Sequence, residues 1–241
     1  MFELFLRKKS ISDFAKEDTS FKNGFLNLFF AVAISELIHF FILFFVFSQF
    51  ENIYNGNILA AVLVLFFGII ISFIIIFSFL VFFGAVQCIF ANFSKIKINL
   101  RQQYGKLFYL ASSFIILAGL LVGIYVIISK DFFYLTLPSF VLAILVSVIS
   151  VNIALILSVL FPQLSVPLSS QFLYLNIFNI FFAILCLYFF YQNLNLFKQT
   201  FNKSNMFSFL IILFGLIVGI IGTLSVLSIM TIATIVLPSI I

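Results

Sequence analysis

Six runs of apolar residues separated by short polar gaps set the pattern of the chain. The first, Phe25 to Phe47, reads FLNLFFAVAISELIHFFILFFVF and is long enough to cross a bilayer, which takes about 20 residues as a helix. The second extends from Ile58 to about Phe93, longer than a straight crossing needs, so it has length to tilt or project. The third covers Leu107 to Ile128, the fourth Leu137 to Phe161 and the fifth Phe172 to Tyr191, and the sixth begins at Met206. This pattern predicts an all-α, polytopic transmembrane helix bundle of six hydrophobic helices making five or six crossings.

Composition points the same way. The chain is 65% hydrophobic and 8% charged, with a mean hydropathy of +1.35, whereas a soluble domain is about 45–50% apolar and about 25% charged. The polar gaps are too short for a second domain, so residues 1–22 form a cytoplasmic or interfacial segment and residues 23–241 one transmembrane domain. The opening MFELFLRKK places its short apolar portion before the basic residues, the reverse of a cleaved signal. Phe2, Phe5 and Phe14 alongside Lys8, Lys9 and Lys16 suit an interfacial helix; a frayed tail suits them equally.

The net charge of +5 changes the picture only in where it falls. Lys8, Lys9, Lys95, Lys97, Arg101 and Lys106 cluster beside predicted spans, where basic residues orient helices and attract anionic headgroups. The expected partners are therefore the lipid bilayer and other membrane proteins or further copies of the chain, not nucleic acid. Five Lys/Arg residues before the first span and none in the loop after it predict a cytoplasmic N-terminus, in the plasma membrane if the source is prokaryotic. The second half conflicts with a simple count. If every run crossed, Lys198 and Lys203 would lie outside; they return inside if the fourth or fifth run fails to cross.

Small residues recur at helical spacing. Gly119 and Gly123 form one GxxxG, Gly215 and Gly219 another, with Gly222 following. Lipid provides little hydrophobic drive between helices, so close packing at such residues holds bundles together. They are expected to be packing positions rather than a substrate path.

Candidate chemistry is scarce. Glu36 and His39, three residues apart on one helix face, are the only clearly ionisable groups placed deep in the first span. A carboxylate there costs roughly 2.5–3.5 kcal/mol even on a lenient insertion scale. Two readings follow: a proton- or ligand-responsive pair, or a neutral Glu hydrogen-bonded to a neighbouring helix through Asn176 or Asn179 of the fifth run. The Glu-x-x-His spacing matches half of a di-iron site, but the chain holds one His in total and its other carboxylates lie near or beyond the span ends, so no metal or cofactor is expected. With no HExxH, nucleophile elbow or phosphate-cradling loop, enzymatic activity is not expected. Cys88 and Cys186 sit in apolar runs without ligand-like spacing and are read as small hydrophobes.

The stretches ISDFAKEDTSFKNGFLNLFFAVAISELI, GAVQCIFANFSKIKINLRQQYGKLFYLASSFIIL and AILCLYFFYQNLNLFKQTFNKSNMFSFLIILFGLIVGI follow one another as an amphipathic lead with a first span, a polar hinge between two spans, and a closing pair. In this layout the chain resembles the Yip1-domain family of integral membrane proteins in its short prokaryotic form. The resemblance implies five spans and a non-enzymatic scaffold or adaptor that organises membrane proteins or lipids; eukaryotic relatives bind small GTPases and membrane-shaping partners in vesicle traffic. The eukaryotic Asp-Leu-x-Gly-Pro and Gly-Tyr signatures are absent here, so no functional residue is carried over. The alternative is a transporter or ABC-type permease subunit with Glu36 and His39 in a polar path.

Overall fold

The computed structural model describes residues 19–42, 58–93, 99–129 and 170–236. Five helices account for nearly all of them: α1 (Phe21–Phe41), α2 (Ile58–Phe93), α3 (Leu100–Ser129), α4 (Ser170–Phe201) and α5 (Asn205–Val236). Each contains a segment long and apolar enough to cross a membrane. Large apolar side chains such as Phe30, Phe66, Ile124, Ile184 and Leu210 stand exposed on all five, where a soluble protein would carry polar groups. The chain is thus an all-helical, multi-pass membrane protein. The hydropathy pattern counts six helices; five lie among the described residues, and the fourth run, 137–161, lies outside them.

Side-chain caps fix three of the helix starts. Ser20 Oγ accepts from the Asn23 N–H at 3.2 Å, Asn99 Oδ1 from the Gln102 N–H at 3.4 Å and Ser204 Oγ from the Phe207 N–H at 3.3 Å. Each satisfies a first-turn donor that no carbonyl of the helix can reach. The Asn99 cap corrects one boundary. The apolar run suggests a third helix from Leu107, yet α3 starts at Leu100, so Arg101 and Lys106 lie on the helix itself.

α4 ends in a Schellman turn. Asn202 takes a left-handed conformation, φ 48°, and the Lys203 N–H donates to the Lys198 carbonyl at 3.2 Å, capping a carbonyl that the helix leaves open. Three residues then separate α4 from α5, and Phe190 meets Phe209 edge-on at 5.6 Å between ring centroids. These helices form a tight hairpin.

The chain packs as two units. One gathers residues 1–30, 73–113 and 188–241, the other 31–72 and 114–187. In the first, α1 crosses α3 with Gly24 against the Gly105 backbone. Phe21 and Phe77 both pack on Phe108, at 5.5 and 5.6 Å. Leu28, Leu80, Phe83 and Phe108 are almost wholly buried there. In the second, Ala31, Val32, Ile115, Val122 and Val126 form the apolar filling, and Tyr125 packs on Phe178 at 4.7 Å.

Candidate intramembrane polar site

Most hydroxyls on α5 are satisfied within their own helix. Ser208, Thr223, Ser225 and Ser228 donate to carbonyls four residues back, at 2.7 to 2.9 Å. Such back-bonding lets a hydroxyl sit in oil without a partner helix. Ser35 and Ser72 behave differently: their hydroxyls reach another helix.

Both meet in the unit formed by residues 31–72 and 114–187. Ser72, on α2, donates its hydroxyl proton to Oε1 of Glu36, on α1. Ser35, next to Glu36, donates to the Ile115 carbonyl of α3 at 3.2 Å. The second contact needs a close helix approach, and Gly119 permits it. A Cβ there would stand 2.7 Å from Ser35 Oγ and 2.9 Å from Ser35 Cβ. His39 lies one turn beyond Ser35 on the same face of α1. Glu36 is 6% exposed and His39 7%. α1 therefore presents one polar edge, Ser35–Glu36–His39, to α2 on one flank and to α3 on the other.

The sequence places Glu36 and His39 together, and the structure keeps them buried in one unit. Asn176 and Asn179 lie on α4, with side chains outside those described. Ser72 is the partner that sequence reading passes over. Its only signal is one hydroxyl in the otherwise apolar stretch FFGIIISFIIIF. Among the described residues, no three His, Cys, Asp or Glu side chains come together as metal ligands, and Cys88 and Cys186 are free thiols.

The glycines named from spacing all meet neighbours inside the fold. Gly123 faces Ile42, Gly215 faces Phe83, Gly219 faces Phe79 and Gly222 faces Phe82. Each admits a ring or branched tip where a Cβ would collide.

The basic residues divide. Arg101 is exposed. Lys106, expected beside headgroups, is 2% exposed. It follows Gly105, which lies against the Thr19 and Ser20 carbonyls, so the start of α1 crosses α3 at this turn. One turn before it Gln103 donates through Nε2 to Gln87 Oε1 at 3.1 Å, both side chains buried. Lys8, Lys9, Lys95 and Lys97 lie outside the described residues.

Compared with known protein families, characterised proteins and solved structures, the chain returns no match. The class defined by fold and site is a multi-pass helical membrane protein with one buried acid–hydroxyl contact between its first two described helices.

Proposed function

We propose that this protein is a non-enzymatic membrane scaffold, Yip1-like in layout, that organises membrane proteins or lipids through its outward helix faces. The observation that carries the reading is how the small and polar positions are used. Gly119, Gly123, Gly215, Gly219 and Gly222 each receive a side chain from a neighbouring helix, and Glu36 is engaged by Ser72. Features that mark a substrate path when they line a cavity are here spent on holding helices together. What the helices present outward is apolar: Ile177, Ile180, Phe181, Ile184 and Leu187 stand exposed along α4.

The membrane orientation belongs to the same proposal. α3 ends and α4 begins in one unit, and the start of α3 shares the other unit with the end of α4. That arrangement supports oppositely running α3 and α4. Five crossings from a cytoplasmic N-terminus then put the Lys198–Lys203 turn in the cytoplasm, as the positive-inside rule prefers.

The test is crosslinking in native membranes with photoreactive residues at Ile180 and Ile184, alongside the mass of the protein in lipid nanodiscs. A defined crosslinked complex that excess unlabelled protein competes away is expected. Recovery only as a lone monomer, with crosslinks to nothing but lipid in random proportion, overturns the scaffold.

A further inference from the structure

We propose that α2 and α5 form a lipid-binding surface matched to a thick hydrocarbon layer, so that the protein gathers phospholipids with long acyl chains around it. The proposal does not rest on the scaffold reading, because these faces meet acyl chains whether or not a protein partner binds.

α2 and α5 are the only two of the five described helices without a charged residue. α1 carries Lys22 and Glu36, α3 Arg101 and Lys106, and α4 Lys198. α2 is 36 residues long and α5 32, which makes them about 54 and about 48 Å at the rise of an α-helix. A hydrocarbon core is about 30 Å thick.

Apolar side chains stand exposed from end to end of α2 and from Met206 to Ile229 on α5. Ile58 and Leu59 at one end of α2 are 66% and 68% exposed and Phe93 at the other 80%, while Met206 is 75% exposed and Ile229 67%. Polar groups in between are turned away or closed on their own helix. Ser72 and Gln87 are buried. The exposed Ser225 and Ser228 donate to carbonyls four residues back, as hydroxyls do in oil.

A single long helix fits a thinner bilayer by tilting. Here two are packed together: Phe90 meets Phe214, Phe83 sits on Gly215 and Phe79 on Gly219. The contacts descend α2 as they ascend α5, so the two run antiparallel and tilt together through this contact. Transmembrane tilts reach about 40°, and at that limit α2 and α5 still rise about 41 and about 37 Å. Acyl chains long enough to thicken the bilayer remove the remaining mismatch, each ångström of which carries a free-energy cost.

Extraction in native nanodiscs, from bilayers of equal dimyristoleoyl and dierucoyl phosphatidylcholine, tests this. The lipid carried with the protein is expected to hold the longer, dierucoyl species in about twofold or greater excess. Leu59→Lys with Ile229→Lys, which puts charge on an exposed position of each helix, should reduce that excess. Leu59→Cys and Phe93→Cys, in a chain whose Cys88 and Cys186 are replaced by alanine, give a second reading. A water-soluble maleimide is expected to label both in dimyristoleoyl nanodiscs and neither in dierucoyl ones. No excess, an excess of the shorter lipid, or one that the lysines leave unchanged overturns the proposal. So do cysteines labelled equally in both lipids, which means helix ends standing in water, or protected equally in both, which means steep tilt.

Discussion

The hydroxyl of Ser72 on α2 donates to the carboxyl of Glu36 on α1, two residues 36 positions apart. Both are buried, so neither side chain has water to fall back on. Interhelical hydrogen bonds in bilayers contribute about 0.6 kcal/mol on average and about 1.7 at most. Ser72→Ala is expected to destabilise the protein by about 1 kcal/mol, measured by reversible unfolding in bicelles. Glu36→Gln, which keeps a carbonyl oxygen for Ser72, costs less than Glu36→Ala. A double-mutant cycle between Glu36→Ala and Ser72→Ala should return a coupling of about 1 kcal/mol; additive effects would contradict the contact.

Gly119 and Gly123 are alike in sequence and unlike in the fold. An alanine at 119 meets Ser35 at its Oγ, Cβ and Cα, at 2.7, 2.9 and 3.4 Å, so the backbone of α1 must give way. One at 123 meets chiefly Ile42 Cδ1 at 2.8 Å, the free end of a flexible side chain. Gly119→Ala is expected to cost about 1–3 kcal/mol, the range for overpacking. Gly123→Ala should stay under about 1 kcal/mol. Thermal unfolding of the two variants in one detergent compares them directly, and equal losses would refute the distinction.

Asn202 closes α4 at φ 48°, a conformation that Gly and Asn adopt more easily than other residues. Asn202→Gly is expected to leave stability unchanged or slightly raised. Asn202→Ala should lower it by about 1 kcal/mol, since an ordinary Cβ crowds the following carbonyl. Chemical denaturation followed by circular dichroism reads the order Gly ≥ Asn > Ala.

The hydrophobic runs made the helices legible in the sequence because lipid demands about 20 apolar residues per span. They did not mark helix ends. α3 begins seven residues before its apolar run, in a polar turn that Asn99 caps and that buries Gln103 and Lys106. A charged side chain next to a span reads as headgroup-facing in the sequence, whereas Lys106 is buried in the fold. Glu36 and His39 stood out because ionisable residues are rare in oil. Ser72 did not, since a serine that bonds its own helix and one that reaches another look identical in sequence. Glycine spacing likewise located the close approaches, but the partners Ser35, Phe79, Phe82 and Phe83 come only from tertiary structure.

The run 137–161 decides the topology, and two engineered cysteines read it. Replace Cys88 and Cys186 by alanine, then introduce one cysteine at Gln199, exposed in the last turn of α4, or at Ser165. With a cytoplasmic N-terminus and five crossings, α1 to α3 end outside, the 130–169 connection begins and ends there, and α4 returns the chain to the cytoplasm. A membrane-impermeant maleimide applied to intact cells should label Ser165→Cys and spare Gln199→Cys. On inverted vesicles the pattern should exchange. If instead Gln199→Cys is labelled from outside and Ser165→Cys from inside, the run crosses once and α4 runs the other way. Lys198 and Lys203 would then face outward, against the positive-inside preference, and the shared packing of the α3 start with the α4 end would need a different explanation.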